Sequence, residues 1–381
     1  MRAEVVIRSL LACVFASSLQ LGAAPKNWFD VTEYGAKGDG KTSDTSAIQS
    51  ALDAAGKVKG TVWFPAGEYP CHDLKVPSHV MLKGDPVWIF RTEKSGATLQ
   101  LDDPKARCLL DVTGAFGVRV YGLVLSGLRW GTPKPVDGIL MGNAQTSKKE
   151  DSLFIDDCKV MRFSGHGVAL HLCWMYIIRH SQFMENGGCG VLADACDGFV
   201  TDNMFTANAE DGFGGEGIGG STVMFTANRV EWNKGAGLRI ASSSWNVTGN
   251  SFDRNYGGAL ILTNASQSAV TGNLFRRSGK DPAKMAEGET SCQVKMIGCR
   301  GVSLVGNTFR AGQDDGGKGV FTPQYGIELD HLTTCIVKDN TLFEGYMDEM
   351  YLNRGGHSAD TVISDNVGTR REIHPWEREG K

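Results

Sequence analysis

The chain has 381 residues, of which 41% are hydrophobic and 22% charged, with 49 glycines and a formal net charge of −4. This mildly acidic balance, with no basic block, excludes a nucleic-acid footprint, and the apolar content excludes a wholly disordered chain. Ten cysteines contain no CxxC pair, which excludes a zinc-ribbon framework.

Residues 1–24 carry Arg2 and Arg8 around the apolar run LLACVFASSLQLGAA, which ends in small residues. That pattern predicts a secretory signal cut near Ala23 or Ala24, so the mature protein is expected to be secreted or periplasmic. Its removal takes away two arginines and one glutamate, moving the formal charge from −4 to about −5. No later run approaches the roughly 18 apolar residues that a membrane span needs, so no membrane insertion is expected. Cys158, Cys173, Cys196 and Cys335 fall near expected strand ends. They read as small buried thiols filling a stack rather than as a disulfide framework.

Residues 28–70 read as a capping segment. Ala47, Ile48, Ala51, Leu52 and Ala55 share one helical face, Ser43 or Asp44 can cap its start, and Gly56 stands just past its end. The spacing predicts one amphipathic helix over 44–55, followed by a strand and a Pro-Gly turn in TVWFPAGEY.

Beyond about residue 71 the chain repeats. Asn203, Asn228, Asn250 and Asn273 recur at steps of 25, 22 and 23 residues, and Asn307, Asn340 and Asn366 continue the series. Each unit runs from Asn through an apolar residue and a polar turn with a second Asn to glycine and a short alternating segment. The period is too short for two helices and the alternation is that of strands, so each unit is one coil of an all-β solenoid. The repeated Asn suits a position that tolerates left-handed backbone angles and hydrogen-bonds to its counterpart one coil away. Coils over about 71–367 number roughly ten to twelve, a rod about 50 Å long at about 4.8 Å per coil. The helix over 44–55 then caps the open end of the core. Residues 128–150, 277–291 and 310–324 read as loops inserted between coils, 368–381 as a charged tail, and the chain after residue 24 as one domain.

YGAKGDGKTSDTSAIQSALDAA followed by GTVWFPAGEY resembles the N-terminal signature of the pectate-lyase superfamily, which includes polygalacturonases. The resemblance implies a right-handed parallel β-helix. It implies activity less sharply, because hydrolases, lyases, epimerases and adhesins share that start.

Function is read from outward positions on the strand after each glycine. Aligning VDGILMG, GHGVALHL, GCGVLADA, EDGFGGEG, GAGLRIAS and GGALILTN on glycine gives one column of Asp137, His166, Cys189, Asp211, Ala236 and Gly257. Five residues further on stand Gly142, His171, Asp194, Glu216, Ala241 and Leu262, and Arg239 stands between the two columns. His171, Asp194 and Glu216 are therefore expected as neighbours about 4.8 Å apart along one exposed column. Carboxylates at such spacing beside a cation fit acid–base cleavage of a glycosidic bond.

Several pieces resemble polygalacturonase motifs: Gly165-His166-Gly167, Asp137-Gly138, Glu210-Asp211 and Arg239-Ile240. The coil order differs from that family's, and Asp137 and Asp211 stand three coils or about 14 Å apart, beyond the roughly 6.5–9.5 Å of an inverting carboxylate pair. Trp130, Trp174, Trp232 and Trp245, spread over neighbouring coils, offer indole faces to sugar rings.

The expectation is a polysaccharide-cleaving enzyme, a polygalacturonase-like glycoside hydrolase acting on an acidic polymer without a cofactor. Its catalytic residues would come from Asp194, Glu210, Asp211, Glu216 and His166, and its substrate contacts from Asp137, His171, Trp174, Arg239 and Lys295. The alternatives are a lyase or epimerase, with Ca²⁺ held by Asp194 and Glu216 and with Arg239 or Lys295 as base, and a non-catalytic adhesive rod.

Overall fold

A computed structural model describes residues 27–85, 96–129, 131–142, 152–194, 197–215, 222–313 and 319–378. The expected signal at 1–24 lies outside them, as do Trp130, Cys196 and Glu216. Three sheets of 13, 12 and 11 strands run the length of the rod, and their strands pair in parallel with strands one coil away. A representative coil passes through Tyr176–Arg179 in the first sheet, Gln182–Met184 in the second and Val191–Asp194 in the third.

The corner between the first and second sheets is built on asparagine. Asn203 donates through Nδ2 to Asn228 Oδ1 at 3.1 Å and to the Ile178 carbonyl at 2.8 Å, while its own N–H donates to Asn228 Oδ1 at 3.0 Å. The same contacts link Asn228 to Asn250, Asn273, Asn307, Asn340 and Asn366, with amide-to-amide distances of 2.8–3.0 Å. The left-handed residue is not the Asn but the one before it, such as Asp202 at φ 55° or Gly249 at φ 67°. That residue turns the corner, so the Asn points inward and its amide lies along the stack. A second ladder of Asn186, Asn208, Asn233 and Asn255 makes the corner between the second and third sheets, and Ser278 and Gln293 continue it.

Phenylalanine fills the space between the corners. Phe183, Phe205, Phe252, Phe275 and Phe309 occupy one register column of the second sheet, each fully buried. Val230 interrupts that column, and Phe225 from the first sheet fills the gap, with ring centroids 6.0 Å from Phe205 and 6.4 Å from Phe252.

The capping helix α1 runs Thr45–Val58 and buries Ile48, Ala51, Leu52 and Ala55. It extends past the expected end because Gly56 is a packing glycine: a Cβ there would lie 2.8 Å from Pro77. Asp44 sits at the N-cap position, but its carboxylate accepts from the amides of Lys37 and Gly38 instead, at 2.7 and 3.0 Å. Among the described residues eight cysteines are buried and in no disulfide, and no described helix is long and apolar enough to cross a membrane.

Replacing Phe252 by Ala should cost about 3–5 kcal/mol, because the stack above and below it cannot collapse into the gap. Phe343→Ala, at a side chain 63% exposed, should cost under about 0.5 kcal/mol. Equal denaturant midpoints for the two variants would remove the aromatic stack as a source of stability.

Candidate functional site

The outer face of the third sheet carries the expected columns, and its register corrects one of them. The strands Val191–Asp194, Phe213–Gly215, Leu238–Ile240 and Leu260–Thr263 each start five residues after a corner Asn, so Leu238 pairs with Leu260 and Arg239 with Ile261. The glycine pair Gly257-Gly258 misleads an alignment made on glycine, and Gly258 rather than Gly257 follows Ala236. Read outward, Leu140, Ala169, Leu192 and Gly214 are followed by Arg239, Ile261, Lys295 and Glu328. The floor is therefore apolar or small over four coils and carries charge beyond them at Arg239, Lys295 and Glu328, with Ile261 between.

Where strands enter this sheet, the side chains of one coil cap the backbone of the next. Asp137 Oδ1 accepts the His166 N–H at 2.7 Å, His166 Nδ1 accepts the Cys189 N–H at 2.9 Å, and Asp211 Oδ1 accepts the Ala236 N–H at 2.6 Å. Each cap needs a glycine beside it: a Cβ on Gly165 would lie 2.3 Å from Asp137 Oδ1, and one on Gly188 2.5 Å from His166 Nδ1. Gly165-His166-Gly167 thus has a stacking reason of its own. Asp211, 7% exposed, also accepts from Arg239 Nε at 2.7 Å and Nη2 at 3.1 Å. Its oxygens face a guanidinium and an amide rather than the groove.

Glu210 Oε2 lies 3.5 Å from Cys189 Sγ, and with His166 these form a nitrogen, sulfur and oxygen trio whose ligand atoms fall within 4.8 Å of one another. Burial, then the charges of Asp211 and Glu210, push the Cys189 thiol well above its usual range. Burial likewise raises the Asp137 carboxyl, partly offset by the His166 amide and by the charges of His166 and His171.

Where strands leave the sheet, His171 pairs directly with Asp194 in register. His171 Nδ1 stands 3.8 Å from Asp194 Oδ2, with the two side chains 37% and 25% exposed. Asp194 Oδ1 is buried without a hydrogen-bond partner among the described residues. Trp174, 48% exposed, follows at the same edge. Trp245 is instead a core plug, 3% exposed and donating Nε1 to Ser242 Oγ at 2.9 Å.

Lys295 stands apart from this group, two coils beyond Arg239. Its Nζ lies 2.9 Å from Thr290 Oγ1 and 3.4 Å from Glu328 Oε2, so it is braced rather than presented as a base. Glu328 also accepts from Arg354 Nε at 2.6 Å and from the Thr290 hydroxyl. Burial pushes its carboxyl up, but the Thr290 and Arg354 hydrogen bonds and the Lys295 charge outweigh that and hold it below the usual range. Sequence reasoning missed Glu328 and Arg354, although stepping the register one coil past Lys295 reaches Glu328.

Calcium takes about six to eight oxygen ligands. Of the expected Ca²⁺ pair only Asp194 lies among the described residues, and the one three-ligand cluster among them is a softer mixed set of nitrogen, sulfur and oxygen.

The family model for the right-handed β-helix region matches residues 136–275 and 217–367. The chain belongs to the right-handed β-helix family. A second model, rhamnogalacturonase A/epimerase, pectate lyase-like, matches residues 28–103. The chain is similar to mannuronan C5-epimerase AlgE5 of Azotobacter vinelandii, at 32% identity over 234 residues, 58% of this chain and 23% of that protein. It is also similar to alginate lyase 7 of the same organism, at 30% identity over 195 residues, 47% of this chain and 22% of that protein. These matches span less than a quarter of either relative's length. Among solved structures, the A-module of mannuronan C-5 epimerase AlgE6 from Azotobacter vinelandii shares this β-helix fold. Its TM-score is 0.71 at 19% identity, covering 90% of this chain and all of that one.

Within this β-helix, the two edges of the floor should separate under mutation. His166→Ala and Asp211→Ala each leave a capped amide unpaired and should destabilise the fold by about 1–3 kcal/mol, whereas His171→Ala should cost under about 0.5 kcal/mol. Urea titrations giving the same loss at all three would erase the distinction. Glu328, with its folded pKa lowered, contributes stability that is present above the ordinary glutamate range and lost as pH falls through its folded value. Between about pH 7 and about pH 3, the wild-type midpoint should therefore fall more than that of Glu328→Gln; parallel curves would show that the brace does not couple to folding.

Proposed function

We propose that the chain is a carbohydrate-active enzyme that removes the C5 proton of a uronate unit within a polymannuronate chain, with epimerisation as the outcome. The observation that carries this reading is the half-buried, solvent-reached His171–Asp194 pair beside an apolar floor, on a chain similar to mannuronan C5-epimerases. A neutral imidazole within reach of a sugar C–H is a general base, and an adjacent carboxylate orients the ring and stabilises the imidazolium that forms. Asp137 is occupied by the His166 amide, so the proton returned to C5 comes from solvent. Return of a proton to the opposite face of C5 gives the epimer. Arg239, two coils or about 10 Å beyond Asp194, supplies positive charge for a neighbouring uronate.

This reading replaces the glycoside hydrolase expected first. A hydrolase needs a carboxyl turned toward the leaving oxygen, and Asp211 is turned toward Arg239 and the Ala236 amide. Likeness to an alginate lyase favours a second reading that shares the first step: after C5 proton removal the C4–O bond breaks and leaves an unsaturated end. Export, directed by residues 1–24, belongs to the proposal, because a polymeric substrate meets the enzyme outside the cell.

Incubation with mannuronan in D₂O tests the reading. The expected result is deuterium at C5 in newly formed guluronate, with His171→Ala slowing exchange at least about 100-fold while remaining folded. Ultraviolet-absorbing unsaturated ends would select the lyase. Saturated new reducing ends without C5 exchange would overturn both.

A further inference from the structure

Two to four coils past Asp194, the corner before the third sheet opens into a pocket of about 240 Å³ lined by Trp232, Arg254, Tyr256, Arg277, Asp281 and Lys284 among others. The corner ladder explains why these side chains meet. Trp232, Arg254 and Arg277 each precede a ladder position in successive coils, each at positive φ (61°, 56° and 47°), so their side chains emerge in one row.

Cations exceed anions here. Asp253 beneath the row is shared by two guanidiniums, Arg254 Nη1 at 2.6 Å and Arg277 through Nε at 2.9 Å and Nη2 at 2.6 Å. Lys284, 73% exposed at the mouth, has Asp281 at 3.7 Å. Arg276 adds a fourth cation next to this group. Its pKa is lowered first by burial and then, against the pull of Asp253, by the charges of Arg277, Arg254 and Arg310. Four cations are thus set against two carboxylates, and one cation, Arg254, is only 8% exposed.

Aromatic surface is set among these charges. The Arg254 guanidinium lies 4.5 Å over the Trp232 ring, which holds the indole in place, and Tyr256 is 42% exposed at the rim. A planar aromatic wall beside excess guanidinium charge suits a ligand with a sugar face and a carboxylate. It suits a neutral sugar less well, since nothing in such a ligand offsets the desolvation of the arginines.

We propose that this pocket is a secondary subsite that holds one uronate unit of the polymer about 10–19 Å along the rod from the His171–Asp194 pair. The uronate carboxylate meets Arg277 and Lys284, and its ring lies against Tyr256 and Trp232. The subsite rests on the polyuronate reading above, and it makes affinity depend on chain length, because only a polymer long enough to span both places gains the second contact.

The test uses the full chain and two exposed substitutions, Lys284→Glu and Tyr256→Ala, which leave the Asp253 network intact. Calorimetric titration with a mannuronate hexasaccharide should give a Kd at least about tenfold weaker in Lys284→Glu, with a shallower salt dependence. On long mannuronan the same variant should raise KM with kcat unchanged, and on a trisaccharide too short to span both places it should match wild type. Wild-type affinity in both variants, or equal binding of a neutral hexasaccharide of the same length, would overturn the subsite. Calorimetry needs no turnover: absence of C5 exchange would sink the catalytic reading alone, and unchanged hexasaccharide binding would sink the subsite alone.

Discussion

The structure depends on the side-chain amide of asparagine repeated at one corner of seven successive coils, Asn203 to Asn366. A buried amide carries two donors and an acceptor that must be met inside the protein, since an unmet polar group costs about 1–3 kcal/mol. Here each Asn meets that demand with the next Asn and with a backbone carbonyl. A slip of one residue would leave the whole ladder unpaired at once. Register is fixed more strictly than by the hydrophobic effect alone, because apolar side chains tolerate small displacements and a hydrogen-bond ladder does not.

Fixed register turns a linear repeat into a surface with addresses. Because four successive strands of the third sheet start a constant distance from their corner Asn, residues in different coils fall into straight columns. The column at the strand entry serves stacking: Asp137, His166 and Asp211 cap the amides of the next coil. The column at the strand exit makes no comparable backbone contact at His171, whose side chain reaches Asp194 and solvent. One corner therefore spends its polar groups on holding the rod, and the opposite edge leaves a histidine and a carboxylate available to a ligand. The same arithmetic gathers Trp232, Arg254 and Arg277 into one row.

Much of this was legible without coordinates. The Asn period gave the coil, the alternation gave strands, and the apolar positions after each Asn gave the Phe column that Phe205, Phe252 and Phe275 occupy. The neighbouring of His171 and Asp194 followed from the repeat. Readings that failed did so for identifiable reasons. Gly56 looked like a helix stop, yet its bareness answers to Pro77, far along the chain. The last aligned strand slipped by one because glycine was taken as the fixed point, when the ladder Asn is.

The sequence by itself determined the stack, its period and the residues that share each outward column, because these follow from local turn chemistry repeated at a constant length. Tertiary structure alone decided what each column is for. Asp211 and Asp194 look alike in the sequence as carboxylates one coil apart; in the fold one faces Arg239 and a backbone amide, and the other faces His171. That difference is set by side-chain direction at the two ends of a short strand and by which partner from a neighbouring coil lies within 3 to 4 Å. No periodicity along the chain encodes it.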